Sequence, residues 1–388
     1  MRVTLPLVAV VALATPRATT AFNASSLPVD VNDVFNWLGG EIHKLELPVL
    51  NEYIDTTVQA ALRETAKIDR PPLMARTTSA GGAAFTILQI PDLHYSGNDD
   101  TACLDKPASM KAPCQQRYMA IMVGALLDAV HPDFVVFTGD QIEGQYAPQT
   151  WGDSYRTVDK YAAEATKRNI PWAMVFGNHD ESIAPKLLMA YIESLPLSYA
   201  KYGPMTIGGV GNYELTVQTR ATHNASALRL YFIDTHKDGN VTTDQLTYIK
   251  SLAAAHQVQY DVVPALMFFH IPTPEYKSGP VLQGERNEGW VPPAQHGLFD
   301  AMVQMGDVKA SFCGHNHLDD FCTKKSNISL CISGTSGYGW AYGKSTMSRT
   351  ARVIEWTKNA TTETISTWLY FHQSASVSEK LVVYAATN

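Results

Sequence analysis

The chain has 388 residues, of which 45% are hydrophobic, 10% aromatic and 17% charged, the composition of a folded protein rather than a disordered or fibrous one. A formal net charge of -7 with no long run of like charges gives no basic patch for nucleic acid and no polybasic segment for a membrane surface. Neither nucleic acid nor stable membrane insertion is expected on these grounds, and charge says little more about the partner.

In chain order, Arg2 precedes an apolar run from Val3 to Ala14, broken only by Thr4 and Pro6, and small residues end at Thr19-Thr20-Ala21. That order reads as a secretory signal peptide over 1-21, too short to span a bilayer as a helix. Residues 22-82 read as a mainly helical extension, with Val31, Val34, Phe35, Leu38, Leu45, Leu50, Tyr53, Val58 and Leu62 as its apolar positions. It carries no chemistry, and a pro-segment or a helical brace would suit it equally. Arg70-Pro71-Pro72 and Ser79-Ala80-Gly81-Gly82 mark a boundary before a main domain at 83-372.

Within that domain short apolar runs alternate with amphipathic stretches. Strands are predicted at 85-90, 134-138 and 172-176, with helices at 117-130 and 155-168 between them, so an α/β fold with buried, parallel strands follows. Further strands at 229-233, 265-269 and 310-313, around a helix at 243-256, imply a second sheet. Runs at 330-332, 351-356 and 363-370 read as antiparallel strands closing the domain, and 373-388 as a polar, poorly ordered tail.

Two features agree with an oxidising, extracellular compartment. Acceptor triplets for N-glycosylation begin at Asn23, Asn224, Asn240, Asn327 and Asn359. Cys103 and Cys114 flank a polar loop, and Cys322 and Cys331 flank a hairpin-like turn, so each pair is expected to form a disulfide. Cys313 is left over in an apolar run and is expected to be buried.

The chemistry lies in what each strand ends with. Ile90 leads to Asp92 and His94, Thr138 to Asp140, Phe176 to Asn178-His179-Asp180, Phe269 to His270, and Cys313 to His315 and His317. Side chains at the carboxyl ends of strands in an α/β sheet converge although far apart in sequence. Imidazole, carboxylate and amide donors suit hard or borderline cations and need no thiolate. Skipping one residue, as Asp92 and His94 do and His315 and His317 do, keeps both side chains of a pair on one side of an extended strand end.

These blocks, in this order, resemble the calcineurin-like metallophosphoesterases. Asp92-Leu93-His94-Tyr95, Thr138-Gly139-Asp140-Gln141-Ile142, Phe269-His270-Ile271-Pro272 and Ser336-Gly337-Tyr338-Gly339 look more narrowly like the purple-acid-phosphatase branch. The resemblance implies a four-layer αββα sandwich of two mixed β-sheets, with the site at the strand ends. It implies two metal ions, the first on Asp92, His94 and His317, the second on Asn178, His270 and His315, with Asp140 bridging. Two cations ~4 Å apart make hydroxide available at neutral pH for in-line attack on phosphorus. By the same resemblance His179 faces the substrate as a catalytic group, oriented by Asp180. The implied activity is phosphomonoester hydrolysis; phosphodiester cleavage at the same site and a secreted, non-catalytic binding protein of this fold are the alternatives.

One departure bears on the metals: Glu143 stands where purple acid phosphatases carry the tyrosine that colours their ferric iron, so iron, zinc and manganese all remain open for the first ion. His43, His131, His223, His256 and His372 lie outside strand-end contexts and read as structural. His236 and His296 are candidates for supporting or substrate contacts. Substrate specificity is expected from the loops at 96-113, 272-293 and 337-348, with Tyr276, Trp290 and Tyr338 as aromatic candidates for the mouth.

Overall fold

The apolar runs become strands buried along nearly their whole length. The computed structural model describes residues 48-110, 113-144, 151-180, 185-219, 226-289, 297-340 and 342-387, without the side chains of 48-53 and 151-153. The proposed signal segment, Asn23, His43, His223, Asn224, Trp290 and His296 lie outside the described residues.

In one sheet β3 (Ala83–Ile90), β4 (Phe134–Thr138) and β5 (Trp172–Val175) run parallel. On the other side of β3 come antiparallel β12 (Thr350–Lys358), β13 (Thr362–Phe371) and β14 (Ser376–Val377), while β15 (Leu381–Thr387) pairs with β13 and β2 (Arg76–Thr77) with β3. The second sheet has the order β1 (Leu73–Met74), β6 (Tyr213–Gln218), β7 (Ser226–Phe232), β8 (Ala265–Phe268), β9 (Val308–Cys313), β11 (Ile328–Ile332) and β10 (Cys322–Lys325). It too is mixed: β7, β8, β9 and β11 are parallel, β6 runs against β7 but with β1, and β10 runs against β11.

Alternation along the second sheet's strands separates two cores. Leu228, Leu230, Phe232, Leu266, Phe268 and Phe312 share one cluster with Ile87, Val136 and Met174 of the first sheet, so these faces meet. There the rings of Tyr213, Phe232, Phe268 and Phe312 succeed one another across four strands with centroids 4.5, 5.4 and 5.7 Å apart. Each such ring removed from water contributes roughly 1.5–3 kcal/mol. The alternate residues, Tyr231, Ala265, Met267 and Cys313, turn to a second core with Ile249, Ala253, Leu298 and Met302.

Helices cover the outer faces. Among the described residues they are α1 (Pro48–Thr65), α2 (Arg117–Val130), α3 (Trp151–Lys167), α4 (Pro185–Ser194), α5 (Thr243–Tyr260) and α6 (Leu298–Met305). Met119, Val123 and Leu126 of α2, Val158 and Tyr161 of α3 and Leu188 of α4 join the first core. Helices α5 and α6 supply the second, which completes a four-layer αββα sandwich. Thr242 and Gln245 close a reciprocal capping box that starts α5. No helix among the described residues is long and apolar enough to cross a membrane.

Three expectations change. The stretch after Gln373 is ordered, because Leu381-Val382-Val383-Tyr384 supplies a strand and Val383 is buried beneath it. The end of the supposed extension is part of the domain, since β1 and β2 add to the two sheets and α1 packs on α4. The elements β6, α4 and α6 fall outside the predicted ones, although α4 and α6 each bury an apolar face, with Leu188 and Ile192 on the first and Leu298 and Met302 on the second.

Candidate metal centre

The five strand ends that carry the donors open on one edge of the sandwich. Asp92, His94, Asp140 and His315 have φ of 52°, 48°, 52° and 74°, all in the left-handed region. For residues other than glycine this costs of order 1–3 kcal/mol each and persists only when the surroundings hold it. What holds it is a double clamp. Asp92 and His94 N–H donate to Gly139 O at 3.1 Å and Asp140 O at 2.9 Å, while Gly337 and Trp340 N–H donate to Asp92 O and His94 O at 3.0 Å each. The side chains of Asp92 and His94 therefore meet through left-handed backbone rather than through the strand alternation expected above. Gly139, at φ 84°, admits a ligand beside it: a Cβ there would lie 2.5 Å from His270 Nδ1.

All seven predicted donors come together. His94 Nε2 lies 3.1 Å from His317 Nε2 and 3.5 Å from Asp140 Oδ2, and His317 Nε2 is 3.4 Å from Asp92 Oδ1. On the other side His270 Nε2 lies 3.1 Å from Asn178 Oδ1, 3.2 Å from His315 Nδ1 and 3.1 Å from Asp140 Oδ2. Asp140 Oδ2 thus belongs to both groups. Atoms bound to one ion at about 2.1 Å sit about 3.0–3.4 Å from each other, so these spacings are those of ligand sets.

The hydrogen bonds behind the rings test the fit. His270 Nδ1 donates to Thr138 O at 2.9 Å and His317 Nδ1 to Tyr342 O at 2.9 Å, because a carbonyl can only accept. His94 Nδ1 meets Glu143 Oε2 at 2.8 Å. In their neutral forms all three rings therefore point a bare Nε2 lone pair inward, at other lone pairs. Such an arrangement is repulsive by itself and suits cations, with backbone and carboxylate partners fixing each tautomer.

The charges follow. Burial pushes His317 down to about 3 and His315 well below the usual histidine range, so both stay neutral as ligands must. Burial raises Asp92 to about 7. It acts on Asp140 too, but His270, His179 and His94 outweigh it and hold that carboxylate well below its ordinary range. Burial also opposes charge on His270, yet Asp140 raises it to about 9, so a cation arriving there displaces a proton.

His179 sits at the rim, its Nε2 4.0 Å from Asp140 Oδ2 and its Nδ1 2.8 Å from Glu143 Oε1. Glu143, not Asp180, orients its ring. Asp180 instead accepts the backbone N–H groups of Ile142 and Gly177, both at 2.8 Å, and so shapes the turn that presents Asn178. Tyr342, which carried no strand-end signal, stacks on His317 with centroids 3.9 Å apart.

The other candidates separate as follows. Tyr276 and Tyr338 are each 2% exposed and belong to the cores rather than to the mouth; Tyr276 OH meets Ser311 Oγ at 2.8 Å. His236 Nε2 contacts Gln245 Oε1 at 3.0 Å, which places it in the support of α5. His131 ends α2 with φ 50°, His256 bonds Ser226, and the His372 N–H donates to Arg349 O. Disulfides join Cys103 to Cys114 and Cys322 to Cys331, the latter as directly paired residues of a hairpin, and Cys313 is free and buried. Asn240, Asn327 and Asn359 are exposed.

A family model described as calcineurin-like phosphoesterase matches residues 85–319, a stretch that contains every one of the seven donors. "Probable inactive purple acid phosphatase 29" of Arabidopsis thaliana is 32% identical over 300 residues, covering 70% of this chain and 76% of that protein. "Phosphatase DCR2" of Saccharomyces cerevisiae is 31% identical over 316 residues, covering 73% of this chain and 53% of its own length. Among solved structures, a dimetal phosphatase from Danio rerio has the same fold, with a TM-score of 0.50 at 14% identity over 77% of this chain and 98% of that one. Two donor groups sharing one carboxylate oxygen, on a sandwich of this architecture and within the matched residues, place the chain in the calcineurin-like phosphoesterase family.

Proposed function

We propose that the chain is a secreted, dimetal-dependent phosphomonoesterase acting on small phosphate esters. The observation that carries the reading is Asp140 Oδ2, which lies within 3.5 Å of an imidazole nitrogen from each donor group. Asp92, His94 and His317 would hold one cation and Asn178, His270 and His315 the other, with Asp140 between them; iron, zinc and manganese are the candidates. When bound, the pair supplies a nucleophile from water at neutral pH and draws charge from the phosphoryl oxygens.

The chain's own groups do the rest. His179 is partly exposed at the rim, with its Nδ1 proton held by Glu143 and its Nε2 directed to the centre. Asp140 and Glu143 raise its proton affinity against the effect of burial, so it can carry a proton to a leaving oxygen or meet phosphoryl charge. Extracellular placement is supported by the two disulfides and by the three exposed acceptor asparagines.

The test is turnover of a chromogenic aryl phosphate by the purified chain, with metals quantified in the same sample. Asp140→Ala and His315→Ala are each expected to lose at least ~100-fold in kcat/KM, since they remove ligands rather than their supports. Wild-type activity in either variant overturns the assignment. A bis-aryl phosphate turned over faster than the mono-ester would move the activity to phosphodiesters. The Arabidopsis relative, named a probable inactive purple acid phosphatase, favours a second reading, a binding protein that keeps the centre. Two bound metals with no turnover across a panel of esters would establish it.

A further inference from the structure

The three exposed acceptor asparagines differ in what surrounds them. Asn240 Nδ2 donates to Asp238 Oδ2 at 2.7 Å, and Asn359 Oδ1 accepts the N–H groups of Thr361 and Thr362 at 2.9 Å each, so both amides are engaged within their own turns. The amide of Asn327 makes no hydrogen bond among the described residues. Ser326 and Asn327, with φ of 47° and 65°, form the two-residue turn that joins β10 to β11, where Lys325 pairs with Ile328. The turn precedes β11, which runs parallel to β9, so it lies at the opposite end of the sheet from the metal centre.

Beside the turn runs a groove of about 420 Å³, bordered by Asn327 and walled by Val303 of α6, Val308 and Lys309 of β9, Ile328 of β11 and Tyr384 of β15. That volume falls among those of small-ligand sites, ~300–1,000 Å³. Val303 is exposed, and Lys309 Nζ donates to Gly306 O at 2.8 Å and stands 5.6 Å from the centre of the Tyr384 ring. Apolar walls with an ammonium beside them suit a sugar, which offers an apolar ring face and a rim of hydroxyls. The groove also runs along β15, an edge strand among the described residues that has neither charge nor proline and exposes Val382. Such an edge needs a cover against pairing with other chains.

We propose that Asn327 carries an N-linked glycan whose first N-acetylglucosamine fills this groove and covers β15. The inference rests on the secreted reading of the chain. In the transfer, Asn327 Nδ2 bonds to the anomeric carbon of a polyprenyl-diphosphate-linked oligosaccharide as that carbon's bond to the diphosphate oxygen breaks. The diphosphate leaves with the electron pair, and the amide gives up one proton. Ser329, the third residue of the triplet, is 1% exposed and donates to Val383 O at 3.4 Å. Its hydroxyl is reachable before β15 docks, so the transfer precedes folding.

The test is the full chain secreted from a eukaryotic host, with glycopeptide mass spectrometry at each acceptor. Sugar on Asn327 is expected. Trimming every glycan to its first N-acetylglucosamine is expected to leave the unfolding temperature unchanged, whereas Asn327→Asp, which tolerates the left-handed turn, lowers it by ~1–3 °C. Val303→Ser is expected to cost the wild type a similar shift and the Asn327→Asp background markedly less. If Asn327→Asp is not exported, amidase removal of the glycans from the folded wild type, which leaves aspartate at 327, decides. Sugar on Asn240 or Asn359 with Asn327 bare would overturn this inference alone. So would an Asn327 glycan whose loss leaves the unfolding temperature unchanged, or Val303 and Asn327 effects that simply add. A chain that the host does not export, or that bears sugar at no acceptor, overturns the secreted reading and this inference with it.

Discussion

Histidine serves two opposite purposes in this chain, and single contacts separate them. The imidazoles of the metal centre have their outer nitrogens committed to Thr138 O, Tyr342 O and Glu143, which leaves the inner ones for cations. His256 meets Ser226 Oγ at 2.8 Å, and its buried Nδ1 has no hydrogen-bond partner among the described residues. Burial, with Arg229 nearby, pushes it from its ordinary 6.5 down to about 4. The unfolded chain thus binds a proton that the fold refuses between those values, so stability is full above about 6.5 and declines as pH falls toward about 4. Thermal unfolding followed across that window is expected to show a shallower acid-side decline in His256→Gln than in the wild type; parallel curves would remove His256 from the account.

At the scale of elements, the C-terminal strand matters more than its position suggests. β15 pairs with β13 in one sheet, and Val383 O also receives Ser329 Oγ of β11, in the other, at 3.4 Å. Deleting 376-388 uncovers an edge of β13 and the apolar surface under Val383. We expect the truncated chain to unfold several degrees lower, a shift corresponding to ~1–3 kcal/mol; an unchanged unfolding temperature would make β15 an ornament of the sheet. Each disulfide closes a short loop and restrains the unfolded chain, so replacing Cys103 and Cys114 together with serine is expected to cost up to about 3 kcal/mol in chemical denaturation.

For the whole molecule the two sheets are joined by polar as well as apolar contacts. Arg352 of β12 is fully buried and reaches across to Ile332 O of β11 at 2.9 Å, Asp320 O at 2.8 Å and Gln283 Oε1 at 2.8 Å. Arg352→Ala leaves those acceptors without their donor and a void between the sheets, with an expected loss of roughly 3–5 kcal/mol in denaturant unfolding. The metal centre lies along the same seam and draws donors from both sheets. Chelation is expected to lower the unfolding temperature, and re-addition of the bound metal to restore it, because ions that bind only the folded state stabilise it by mass action.

The sequence alone determined where the donors lie and in what order. Each follows a mainly apolar strand, and helix 117-130 and strand 134-138 appear with the bounds expected of them. Those signals are local, a matter of periodicity and of the residues that end it. Tertiary structure alone decided the rest. Tyr276 and Tyr338 are core residues because other segments fold over their loops. His315 turns Nδ1 rather than Nε2 to the centre, and Glu143 holds His94 and His179 together. Left-handed backbone at Asp92 and His94 exists because Gly139, Asp140, Gly337 and Trp340 clamp it from both sides. Contacts between segments more than two hundred residues apart leave no periodic trace, so they become visible only once the two sheets have closed on each other.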